Sequence, residues 1–149
     1  MTSAPQSPST EAPIVGASIG TAFSRFWTKY ATFSGRASRS EYWWMALIEI
    51  VAWGVLALLA HVGGAGVQDA SGAMTGLNGL GVVVGAVIFI LGLAVIVPNI
   101  AVGVRRLHDA NLSGLFILLV LVPGVGGLIV FILTLLPSNP QGQRFDRAR

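Results

Sequence analysis

The residues with the chemical means to act are few, and the densest group is Arg105-Arg106-Leu107-His108-Asp109. His108 beside Asp109 has the residue types of a general base and its orienting carboxylate. Adjacent residues rarely point at each other, however, and no Ser or Cys nucleophile motif accompanies them. A metal site would lack ligands: there is no cysteine, and the only other histidine, His61, stands at the far end of a hydrophobic segment. The pentad therefore reads as a clasp. Arg105 and Arg106 set orientation and grip phosphates, Asp109 pairs with Arg36 or Arg39, and Glu41 pairs with Arg106. No cofactor, metal or catalytic residue is expected, and the chain is not read as an enzyme.

A second polar group lies inside apolar sequence. Glu49 comes about six residues into one hydrophobic run and Asn99 six residues before Arg105 in the next, so each is expected about 9 Å deep. A carboxyl at that depth is costly and calls for a partner. The expectation is a polar cluster of Glu49, Asn99, Arg105 and Arg106 beside a kink at Pro98, which has no N–H to give to the carbonyl four residues back. Such a cluster either locks two helices together or handles a proton or substrate.

The elements that must position these groups belong to a membrane protein. Of 149 residues, 54% are apolar and only 10% are charged, against about 25% charged in soluble domains. Gly79 to Val104 and Leu112 to Pro137 contain no charged residue at all. The net charge of +3 is modest, and the basic residues form no stripe with interleaved aromatics, so nucleic acid is a poor partner and anionic lipid head groups a better one.

Residues 1–15 read as a disordered Ser/Thr/Pro lead without the apolar core of a signal peptide. Within 18–34, Ile19, Phe23, Phe26, Trp27, Tyr30 and Phe33 recur at steps of three and four. They predict an interfacial amphipathic helix, aromatic side down and Arg25 and Lys29 toward head groups. Ser38 followed by Glu41 is a capping box, Tyr42, Trp43 and Trp44 form an aromatic belt, and a first span covers 43–62. A Gly-rich loop leads to a second span, 80–104. On its helix Gly81, Gly85, Gly92 and Asn99 fall within about 40° of one another, a small-residue face suited to close helix packing in the same chain or a second copy.

Lys and Arg counts place the amino terminus and the pentad in the cytoplasm. The third run, 112–136, is either one span kinked at Pro123-Gly124, which leaves the tail outside, or a re-entrant hairpin turning there; the kinked span is favoured, although Arg144, Arg147 and Arg149 in the basic tail of 143–149 prefer the cytoplasm. The fold class is thus an all-α integral membrane protein of about three transmembrane helices, the third kinked or re-entrant, behind an interfacial helix, with a membrane domain over 16–142.

Several motifs, in order, carry a resemblance: residues 33–44 from Phe33-Ser34-Gly35-Arg36 to Tyr42-Trp43-Trp44, Pro98 before the pentad, Ser113-Gly114, Pro123, and Pro140-Gln141-Gly142-Gln143-Arg144-Phe145. Over about residues 19–146 the chain resembles the bacterial inner-membrane family called domain of unknown function 805, the YhaH-like proteins. It departs from the family pattern at Leu115-Phe116 and Asp146. The resemblance implies a small multispanning protein of the inner (plasma) membrane and no established activity. The residues leave three function classes in order: a structural or interaction component of the envelope that binds lipids, itself or other membrane proteins; a subunit of an oligomeric transporter or channel using Glu49 and Asn99; and last a membrane enzyme, which lacks any motif of known mechanics.

Overall fold

In a computed structural model, which describes residues 12–65, 68–73, 76 and 78–146, the described residues are helical apart from their connections. The elements are α1 (Ile19–Thr28), α2 (Arg39–Val62), α3 (Gly79–Asp109), a 3-10 helix (Gly114–Leu121), α4 (Gly126–Leu135) and a tail 3-10 helix (Pro140–Phe145). Most of the expected lead, and Arg147 to Arg149 of the expected basic tail, lie outside the described residues.

Among the described residues, two helices are long and apolar enough to cross a bilayer, α2 with 24 residues and α3 with 31, about 36 and 46 Å of helix. Both run past the segments expected from hydropathy. α2 starts at Arg39 because the capping box forms: Ser38 Oγ accepts from Glu41 N at 3.2 Å, and Glu41 Oε2 accepts from Ser38 N at 2.8 Å. α3 continues through Pro98 and takes in the whole pentad. The pentad is therefore the end of a helix, not a loop after one.

The chain divides into two compact units, one of residues up to Met45 together with those from Val97 onward, the other Ala46–Ile96. In the second unit, Asn78 opens α3, its Oδ1 accepting from Gly81 N at 2.9 Å. Gly63 lies directly against the Gly81 backbone, where a side chain at Gly63 would have no room. In the loop, Asp69 Oδ1 accepts from Ser71 N at 2.8 Å, from Ser71 Oγ at 2.5 Å and from Ala73 N at 3.1 Å. These bonds hold its carboxyl below the usual carboxylate range, the Ser71 hydroxyl contributing most.

In the first unit, the apolar run of 112–136 is broken into two short arms. The 3-10 helix of 8 residues and α4 of 10 residues are each about 15 Å long, half the hydrocarbon thickness of about 30 Å. Pro123 and Gly124, with φ +84°, turn the chain between them. A Cβ on Gly126 would run into the Leu119 carbonyl, so a glycine there lets the arms close on each other. Trp43 of α2 meets Phe131 of α4 edge-on at 5.6 Å. The chain then returns to the end of α3, where Asn139 N donates to Asp109 O at 2.7 Å. This is the out-and-back hairpin, and the single kinked helix favoured from hydropathy does not form. The physical reason lies in the return contacts: the tail has partners waiting at the end of α3.

Burial is inverted relative to a water-soluble protein. The largest fully buried side chains include Arg105, Arg106 and Asp109, while Ile50, Leu58, Phe89, Leu115 and Leu121 are among the exposed ones. A surface of that kind suits hydrocarbon as its solvent, with polar groups turned inward.

Candidate functional site

The polar interior of the first unit is built where α3 ends. Arg106 and Asp109 are 0% exposed and Arg105 is 1% exposed. Arg106 Nη1 donates to Asp109 Oδ2 at 2.6 Å, three residues on along the same helix face. Its Nε donates to Thr134 O at 3.0 Å and its Nη2 to Leu136 O. One guanidinium thus satisfies carbonyls at the carboxyl end of α4, where a cation is also favoured by the helix dipole. Asp109 Oδ2 accepts a further bond from Ser138 Oγ at 2.5 Å, and Arg36 Nη1 lies 4.0 Å from Asp109 Oδ1.

Arg36 carries the network to the tail. Its Nε donates to both carboxylate oxygens of Asp146 at 3.1 and 3.0 Å, and its Nη2 to Oδ2 at 2.8 Å, a forked pairing that only a planar guanidinium makes. Main-chain bonds run beside it: Gly35 N to Phe145 O at 2.9 Å and Ala37 N to Arg105 O at 3.0 Å. Gly142 packs on the His108 carbonyl with no room for a side chain. His108 stacks on Phe145, ring centroids 4.0 Å apart and planes within 3°. Its Nδ1 is 3.2 Å from Gly35 O; a carbonyl can only accept, so Nδ1 carries the proton.

A second polar knot ties down the amino-terminal segment. Glu41 forms an ion pair with Arg25, and its Oε2 also accepts from Ile14 N at 3.0 Å. Ser38 Oγ donates to Ile14 O at 2.6 Å, and Ser40 Oγ accepts from Ala17 N at 2.9 Å. Arg25 Nη2 reaches Ala12 O at 3.0 Å. The final residues of the expected disordered lead are therefore docked on the capping box.

The structure brings Arg36, Glu41, His108, Asp109, Arg105 and Arg106 into one unit, with Asp109 4.0 Å from Arg36 and two changes of partner. Glu41 pairs with Arg25 instead of Arg106, and Arg106 takes Asp109. Arg25 turns into the protein instead of toward head groups, and Phe26 is buried with Ala22, leaving Phe23, Trp27 and Tyr30 as the exposed aromatic edge. Arg39 stays exposed. Arg105 Nε donates to Ala101 O at 3.2 Å, so it folds back on its own helix and does not reach for phosphates. Of the other polar residues, Glu49 lies half-buried on α2 in the second unit and Asn99 half-buried on α3 in the first. Of the small-residue face, Gly81 meets Gly63, a Cβ on Gly92 would lie 3.9 Å from the Trp53 ring, and Gly85 opens to free space.

Residues that sequence reasoning passed over are Ser138, Asn139 and Asp146. Their signal was a cluster of polar groups directly after an apolar run whose carboxyl end needs a cap. Among the described residues no group of three or more His, Asp or Glu side chains could hold a metal ion.

The model of a family described as protein of unknown function (DUF805) matches residues 30–147. The chain belongs to this family. It is 36% identical over 116 residues to the inner membrane protein YhaH of Escherichia coli strain K12, covering 78% of this chain and 85% of that protein. To the inner membrane protein YhaI of the same strain it is 30% identical over 103 residues, 69% of this chain and 73% of the relative. No solved structure matches. The chain is an all-helical integral membrane protein of a bacterial family, and its clasp, hairpin and tail all fall within the matched residues.

Proposed function

We propose that this chain is a structural or interaction component of the bacterial envelope, a multi-pass protein of the inner membrane with both termini in the cytoplasm. α2 and α3 cross the bilayer, the 3-10 helix and α4 form a re-entrant hairpin, and α1 lies in the interface with Phe23, Trp27 and Tyr30 toward lipid. Arg25, Arg36, Arg39, Arg105 and Arg106 flank the two spans on one side, and residues 63–78 carry no Lys or Arg. By the positive-inside rule that side is cytoplasmic.

The observation that carries the reading is the internal use of the charged residues. Arg25, Arg36 and Arg106 pair with Glu41, Asp146 and Asp109, and His108 is held between Gly35 and Phe145. These groups build a fixed cytoplasmic surface. Such a surface binds lipids or other membrane proteins. Cross-linking in native membranes followed by identification of the captured chains tests it. The expected result is a distinct membrane-protein partner; a homo-oligomer alone that conducts ions in liposomes would overturn it.

A further inference from the structure

An open-sided groove of about 330 Å³ runs between the end of α3 and the 3-10 helix. Its walls are Phe33, Val104, Ile117 and Leu118, and its polar groups are His108 and Ser113. Gly114 keeps it open, since a Cβ there would press on Val104 Cγ1 and lie 3.1 Å from His108 Nε2. In its neutral form with the proton on Nδ1, the imidazole presents Nε2 as an acceptor in an apolar wall, a position that a ligand donor would satisfy. One aromatic ring away from His108 stands an exposed cation. Arg144 Nη2 donates to Asn111 O at 3.3 Å, and its guanidinium carbon sits 4.7 Å over the Phe145 ring that stacks on His108. Among the described residues no carboxylate forms an ion pair with Arg144. The groove is shallow and mostly apolar with two polar groups, and the Phe145 ring stacked on its His108 carries the Arg144 cation.

We propose that this groove binds one anionic phospholipid, its acyl chain along Phe33, Val104, Ile117 and Leu118, its phosphate at Arg144, and a head-group hydroxyl donating to His108 Nε2. The proposal rests on the tail lying on the cytoplasmic side, as in the reading above, and names a ligand for that surface. It gives Arg144 a role that the clasp leaves open, because the clasp is closed by Arg36 and Asp146 without it.

The test uses the full chain in detergent, with lipid retention read by native mass spectrometry. Dioleoyl phosphatidylglycerol should be retained about tenfold over dioleoyl phosphatidylcholine, the size of one charged hydrogen bond. Arg144→Gln should bring the two lipids level, and Leu118→Asn, on the exposed groove wall, should weaken retention of both. Equal retention of the two lipids by the unaltered chain, or no change in folded Arg144→Gln, overturns the proposal; should Arg144→Gln not fold, unchanged retention in Leu118→Asn does so. Displacement of the lipid by inorganic phosphate alone would assign the site to free phosphate and overturn the acyl-chain contact. A topology reporter that places the tail outside the cell would instead remove the reading on which the proposal rests.

Discussion

Replacing Asp109 by Asn removes one charge and almost no volume from the centre of the clasp. Asp109 and Arg106 are both 0% exposed in their side chains, so solvent screens neither, and Arg36 lies 4.0 Å away on the other carboxylate oxygen. Two unit charges at that distance attract by about 4 kcal/mol at an effective dielectric near 20, before desolvation is counted. The Asn amide still accepts one bond, which returns about 1 kcal/mol. Arg106 remains buried without a counter-charge, and breaking such a pair costs about 3–5 kcal/mol. The expected loss is therefore about 3 kcal/mol, read by reversible unfolding in mixed micelles and followed by tryptophan fluorescence. A double-mutant cycle with Arg106→Gln should give a coupling above about 1 kcal/mol. A loss below about 1 kcal/mol, with no coupling, would show that the pair holds nothing and would refute the reasoning.

Gly126→Ala drives a methyl into the Leu119 carbonyl and should cost about 1–3 kcal/mol in the same titration; a neutral result would mean that the hairpin arms are not closed. Asp146→Asn removes the forked partner of Arg36. Because Asp146 is partly exposed, 15% in its side chain, the expected cost is only about 1 kcal/mol, but trypsin should cut at Arg144 several times faster in inverted vesicles. The Asp69 carboxyl has a lowered folded-state pKa, so its contribution to the loop is present above the ordinary carboxylate range and lost as pH falls through the lowered value. Carboxyl carbon shifts in micelles check this, and titration at or above the ordinary value would contradict it.

Much of the architecture was legible because hydrocarbon imposes simple rules. The two long apolar runs, the capping box at Ser38 and Glu41 and the amphipathic pattern around Phe23 to Tyr30 each follow from local sequence. The partners of the charged residues do not. Arg25 at the start of the chain meets Glu41, and Arg36 meets Asp146 across 110 positions, choices fixed by three-dimensional packing among several arginines of equal charge. The third apolar run misled for a related reason. Hydropathy measures length, and a mostly apolar run of 25 residues is long enough to cross, but the turn at Pro123-Gly124, the close approach at Gly126 and the bond from Asn139 N to Asp109 O fold it into two short arms. The helix α3 runs five residues past the segment expected to span, with Arg106, Asp109 and Ser138 satisfying one another inside the protein.

In the proposed topology the tail comes back to the side on which the chain enters the membrane. The chain contains no cysteine, so a single one at the exposed position of Gln143, with a control at Ala70 in the Gly-rich loop, can be probed by a membrane-impermeant maleimide. Intact spheroplasts should label the Ala70→Cys chain and not the Gln143→Cys chain, with the pattern reversed in inverted vesicles. Labelling of Gln143→Cys from outside intact spheroplasts would contradict it.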